Sequence, residues 1–237
     1  MNSTKKTARI AGLLYLIMAV ASAFGLNIPS GFVVRGDAAA TANKIAASEL
    51  FYRICVVSDL ASQILFVFLV LTLYQLLKGV NKRQAALMVA LVLVQVPMAF
   101  ANMLVGIVPL VLLNGADYWA VFDKPQLDAL TMGSLSLRSY GINAIWALCG
   151  LWLLPFGLWL LPFGLLIFRS GFIPRILGII LIVGCFADLA ISVTSLLFPA
   201  YGHIVSKLTI LGVGEFLIIL WLLIKGARVQ PLDEPAS

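Results

Sequence analysis

Hydrophobic and polar positions along the chain segregate into six long apolar runs, residues 10–26, 51–77, 85–113, 142–168, 176–198 and 204–224, with short polar stretches between them. A helix rises about 1.5 Å per residue and the hydrocarbon core of a bilayer is about 30 Å thick, so about 20 apolar residues suffice to cross it. Backbone N–H and C=O groups cannot go unpaired in lipid, which makes each run helical. None of the runs shows the roughly ten-residue alternating segments of a membrane barrel. The pattern therefore predicts an all-α integral membrane protein: one domain over residues 1–237, built as a bundle of six transmembrane helices. Residues 27–49 are expected to form an outer loop with a short helix, and residues 226–237 a cytoplasmic tail.

The basic residues add an orientation. Lys5, Lys6 and Arg9 precede the first run, Lys78, Lys82 and Arg83 join the second to the third, Arg169 and Arg175 join the fourth to the fifth, and Lys225 and Arg228 follow the sixth. All of these fall on one side, which the positive-inside rule assigns to the cytoplasm. The other side holds Arg35, Lys44, Lys124 and Lys207, with Arg53 and Arg138 expected at helix ends near that face. Both termini are expected to be cytoplasmic, in a bacterial inner membrane. An alternative reading of the first run is a signal peptide, since Ala19-Val20-Ala21 and Ala21-Ser22-Ala23 offer small-residue cleavage sites after a basic start.

Composition narrows the class further. Of the 237 residues, 62% are hydrophobic and 11% charged, against about 25% charged in soluble domains. Mean hydropathy is +1.07, and a water-soluble core of this size has no room for so much apolar surface. The net charge of +6 does not point to nucleic acid, because the basic residues sit at helix ends instead of in one patch. Lipid is the expected partner. Cys55, Cys149 and Cys185 lie in three different runs and the single histidine is His203, a ligand set too sparse for zinc or haem. No cofactor, metal site or catalytic residue is predicted.

Between the runs, Asp37 can N-cap a short alanine-rich helix through residue 48, and Glu49 and Arg53 stand four apart, able to pair on one helical face. Residues 114–133 are expected to form a second outer loop, with Asp117, Asp123 and Asp128 as solvated acids. The fourth run carries an identical tandem heptad, Gly150-Leu-Trp-Leu-Leu-Pro-Phe156 followed at once by Gly157-Leu-Trp-Leu-Leu-Pro-Phe163. Seven residues are about two turns. Pro155 and Pro162 therefore share a face and bend the helix, while Gly150, Gly157 and Gly164 form a stripe where a neighbouring helix can come close.

Several segments resemble a family of bacterial membrane proteins known as domain of unknown function 4386. They are Ala8-Arg-Ile-Ala-Gly-Leu-Leu-Tyr15, Gly36-Asp-Ala-Ala-Ala-Thr-Ala-Asn43, Leu73-Tyr-Gln-Leu-Leu-Lys78 and Gly157-Leu-Trp-Leu-Leu-Pro-Phe-Gly164, the last continuing into Arg169-Ser-Gly-Phe-Ile-Pro-Arg-Ile-Leu-Gly178. The resemblance implies a shared six-helix architecture and brings no activity with it. It also implies one copy of the heptad, so the second copy departs from the family pattern.

Polar side chains inside apolar runs are the functional suspects, because a charge at the centre of a spanning helix costs about 2.5–3.5 kcal/mol. Asp59 lies in the second run with Ser62 and Gln63 on its face. Gln95 and Asn102 share a face in the third, and Asn143 lies in the fourth. Asp188 lies in the fifth, above Ser192 and Ser195, and Glu215 lies in the sixth beside Gly212 and Gly214. Arg53 and Asp59 are about 120° apart around one helix, so pairing is expected between helices. The candidate intramembrane polar cluster is Arg53, Asp59, Gln63, Asn102, Arg138, Asn143, Asp188 and Glu215. One reading makes it a pocket that recognises or translocates a small solute or ion. The alternative makes it interhelical packing in a non-catalytic accessory module that assists another membrane protein. An enzyme finds less support, since no nucleophile–base–acid set can be assembled around His203.

Overall fold

A computed structural model describes residues 3–25, 27–115, 117–151, 159–198 and 213–227, with isolated positions between the last two segments. The described elements are helices: α1 (Ser3–Gly25), α2 (Asn27–Phe32), α3 (Ala38–Ala47), α4 (Glu49–Leu77), α5 (Lys82–Leu113), a 3-10 turn (Asp117–Trp119), α6 (Lys124–Leu151), α7 (Leu160–Ser170), α8 (Arg175–Leu197) and α9 (Val213–Ile224). Four of them contain stretches long and apolar enough to cross a membrane, Thr4–Gly25, Glu49–Leu77, Lys82–Leu113 and Arg175–Thr194, while α7 and α9 are apolar but shorter.

Local chemistry sets the helix starts. Asp37 accepts a hydrogen bond from the Ala40 amide at 2.8 Å and caps α3. Asn81 caps α5 through the Gln84 amide at 3.0 Å. α6 opens on a reciprocal capping box, in which the Gln126 amide donates to Asp123 Oδ1 at 2.8 Å and the Asp123 amide donates to Gln126 Oε1 at 3.0 Å.

The helix that this box opens corrects three sequence expectations. Residues 124–133 are helix and not loop, and Asp128 is not a solvated acid, being buried on α6 with a 2.8 Å ion pair to Lys124. Arg138 is consequently mid-helix and buried, well away from a helix end. The physical reason is that the inward face of α6 is polar: Asp128, Thr131 and Arg138 are buried on it beside Leu135. Their 3-4-3 spacing is helical, but a hydropathy scan scores them as loop.

Helix neighbours define the architecture. α1 packs on α4, α4 on α5, α5 on α6, α6 on α8, α8 on α9, and α9 back on α1, closing a ring. α7 packs against α8, α5 and α4. It is apolar nearly all round and buried nearly all round, with Leu160, Phe163, Leu166 and Ile167 in the core, as expected of a helix enclosed by others. Gly164 on α7 and Gly178 on α8 lie together, and a Cβ on Gly178 would sit 2.6 Å from the Gly164 carbonyl oxygen. Gly157 and the Pro155 portion of the tandem heptad lie outside the described residues.

Two apolar cores result. The larger joins Ala8, Leu77, Ala85, Phe172, Ile173 and Ala227, so the basic ends of α1, α4, α5, α8 and α9 gather at one end of the ring. There Gly226 meets Lys5, and Arg169 reaches Gln84 at 3.4 Å. The smaller core joins Ile28, Phe32, Ile45, Tyr52, Met103, Leu110 and Leu135 at the opposite end, beneath α2 and α3. The outward faces carry exposed apolar side chains, among them Leu13, Ile17, Val20 and Phe24 on α1, Val57, Ile64 and Phe68 on α4, and Val183 and Phe186 on α8. So much contiguous apolar surface is what lipid covers and water does not.

Candidate functional site: a polar cavity between two apolar cores

A cavity of about 270 Å³ lies inside the ring, bordered by residues of both cores. α1 contributes Met18, Ser22 and Gly25, α4 contributes Asp59, Ser62, Gln63 and Phe66, and α5 contributes Gln95, Ala99, Asn102 and Met103. Arg138 and Ile142 come from α6, Trp159 from the start of α7 and Glu215 from the first turn of α9.

The strongest interaction in it links helices. Arg138 Nη2 donates to Asp59 Oδ2 at 2.5 Å, with the Arg138 side chain 3% exposed and that of Asp59 19% exposed. Among the described residues Arg138 Nε and Nη1 are buried without a hydrogen-bond partner, as are the side-chain oxygens of Gln63 and Gln95. Buried polar atoms are rarely left unmatched, because each costs about 1–3 kcal/mol. A cluster of them around one cavity marks a place built to meet something polar. At the other side of the cavity the Tyr15 hydroxyl donates to Glu215 Oε2, joining α1 to α9.

Small residues create the space for these side chains. A Cβ on Gly25 would lie 2.7 Å from the Asp59 Cβ, and one on Gly106 2.7 Å from Arg138 Nε. A Cβ on Gly141 would overlap the Asn102 side-chain amide oxygen outright, a closer approach than at either of the other two. Tyr52 braces the Arg138 seat by donating its hydroxyl to the Gly106 carbonyl at 2.6 Å.

Of the eight residues singled out from the sequence, the cavity brings together Asp59, Gln63, Asn102, Arg138 and Glu215. Arg53 is not among them: it is exposed on α4 and pairs with Glu49 at 2.6 Å. Asp188 is half-buried on α8 and is not among the residues that line the cavity, and its carbonyl accepts from Ser192 Oγ at 2.8 Å. The side chains of Asn143 and Ser195, and His203 altogether, lie outside the described residues.

Sequence reasoning overlooked Tyr15, Tyr52 and Trp159. Tyr15 had a findable signal, since Ala8, Ala11, Tyr15, Met18, Ser22 and Gly25 repeat at 3-4-3-4-3 spacing, the inward face of α1. Trp159 had none, because both heptad copies read alike. In the structure it closes one side of the cavity, 5.1 Å edge-on to Phe66 and stacked at 5.4 Å on Phe163.

Neither a curated protein nor a solved structure matches this chain. A family model described as Domain of unknown function (DUF4386) matches residues 10–226. The match runs over nearly the whole chain and takes in every described helix that lines the cavity, so the protein belongs to the DUF4386 family.

Proposed function

We propose that this is a six-span protein of the bacterial inner membrane, both termini cytoplasmic, whose central cavity recognises a small polar solute and passes it across the bilayer. The single observation that carries this reading is Arg138, whose guanidinium is almost fully enclosed at the edge of the cavity with two of its nitrogens unmatched among the described residues. Ionisable groups at such depth face cavities or partners and mark solute pathways. The apolar outer faces and the gathering of basic helix ends at one end of the ring support the membrane placement.

The volume suits a small ligand, being just below the roughly 300–1,000 Å³ of sites for drug-sized molecules. Ala99 is a small lining residue on α5, so Ala99→Trp fills the cavity while leaving every charged side chain of its lining unsubstituted. Purified protein is screened by thermal unfolding against a panel of small polar solutes, and those that stabilise are then followed into proteoliposomes. The reading requires at least one solute whose stabilisation and uptake both vanish in Ala99→Trp. A panel that leaves wild type and Ala99→Trp indistinguishable refutes it.

A further inference from the structure

We propose that the cavity takes a small organic cation bearing a primary ammonium group, with Glu215 as its counter-ion. This rests on the reading of the cavity as a ligand site and narrows the class of ligand. Arg138 and Asp59 neutralise each other across their 2.5 Å contact. Glu215 is met only by a neutral partner, the Tyr15 hydroxyl, and among the described residues no Lys or Arg forms an ion pair with it. The α9 side of the cavity therefore presents a carboxyl with no compensating cation among the described residues, and a bound cation would favour its ionised form.

The remaining acceptors fit the same chemistry. Gln63 Oε1 and Gln95 Oε1 are buried and unmatched. A primary ammonium carries three N–H donors and no acceptor, so Glu215 and the two amide oxygens offer one acceptor for each. Trp159 supplies an aromatic wall, and indole is the side chain whose face attracts cations best. An acceptor elsewhere on the solute would engage the unmatched N–H groups of Arg138. A carboxylate ligand is disfavoured, because it would face Glu215 while the charge of Arg138 is already balanced. Among the described residues no three His, Cys, Asp or Glu side chains converge, which argues against a bare metal ion as occupant.

The test uses the full chain in detergent and three probes of similar size, ethylammonium chloride, sodium propionate and acetamide, with sodium chloride matching ionic strength. Ethylammonium should raise the unfolding temperature saturably, by about 3 °C or more near saturation. Ala99→Trp and Glu215→Gln should each abolish the shift. If Glu215→Gln does not fold, Gln95→Leu serves, with a shift at least tenfold less sensitive to probe concentration expected. An ethylammonium shift that persists in these variants overturns the assignment. A shift from propionate or acetamide alone, lost in Ala99→Trp, overturns the cation class and leaves the cavity reading standing. No shift from any probe overturns the cation class, and the solute panel then decides the cavity reading separately.

Discussion

Asp59→Asn isolates the energetic logic of the polar layer. The substitution keeps the shape of the side chain and removes its charge, so the guanidinium of Arg138, 3% exposed and with Nε and Nη1 already unmatched, loses its counter-ion. Breaking a buried ion pair from one side costs about 3–5 kcal/mol. Losing a neutral interhelical hydrogen bond in a membrane protein costs about 0.6 kcal/mol on average and at most about 1.7. The two mechanisms are thus separable by magnitude. Equilibrium unfolding of the purified protein in detergent, followed by the fluorescence of its five tryptophans, should place Asp59→Asn about 3–5 kcal/mol below wild type. Arg138→Met should cost less than Asp59→Asn, because the stranded Asp59 is 19% exposed and can be neutralised by a proton. Replacing the whole pair, Asp59→Leu with Arg138→Met, should recover to within about 1–2 kcal/mol of wild type, since an apolar replacement of a buried pair is often neutral. A loss under about 1 kcal/mol for Asp59→Asn would refute Asp59 as the group that neutralises Arg138.

Further expectations concern other contacts of the ring. Tyr15→Phe deletes the hydroxyl that α1 gives to Glu215 and should cost about 1.5–3 kcal/mol in the same unfolding assay; no loss would detach α9 from that contact. Gly178→Ala drives a methyl to 2.6 Å from the Gly164 backbone oxygen, which cannot rotate away, so about 1–3 kcal/mol of destabilisation is expected, with neutrality as the refuting result. Asp123→Ala should cost about 0.5–2 kcal/mol and Asp123→Ser should restore most of it, because either oxygen accepts from the Gln126 amide. Single cysteines at Gly79 and Lys225, both exposed, in a cysteine-free background should react with an impermeant maleimide from the cytoplasmic side only, and labelling from opposite sides would break the proposed topology.

The sequence made some of the architecture legible, and the reasons are particular. α4 and α5 are apolar over nearly their whole length, so their runs at 51–77 and 85–113 end where Leu77 and Leu113 end the helices. The start of α3 is legible because Asp37 precedes an alanine-rich stretch with no competing turn. α6 was missed at its N-terminal half because hydropathy asks for apolar residues, whereas the buried face there presents Asp128, Thr131 and Arg138 to a polar interior. Its capping box, Asp123-Lys-Pro-Gln126, was the signal available. The run at 142–168 hid a different fact: α6 stands in the wall, whereas α7 lies inside the ring, and apolarity alone cannot tell a helix facing lipid from one facing other helices. Within the site, periodicity picks out polar residues but not rotation about each helix axis: Arg53 turns out to pair with Glu49, and Asp188 is not among the residues that line the cavity.

The three glycine seats bear on how this family can change over evolutionary time. Asp59, Arg138 and Asn102 each press on a glycine of a different helix, Gly25, Gly106 and Gly141. A mutation to alanine at any one of them displaces its polar partner, and a bulkier partner forbids the glycine's loss. Each pair is therefore expected to drift as a unit, glycine with the long polar side chain or alanine with a shorter one. Across related chains, co-variation at 25 with 59, 106 with 138 and 141 with 102 would trace the lineage of the cavity's lining, and homologues that have lost all three glycines should have traded the polar layer for ordinary apolar packing.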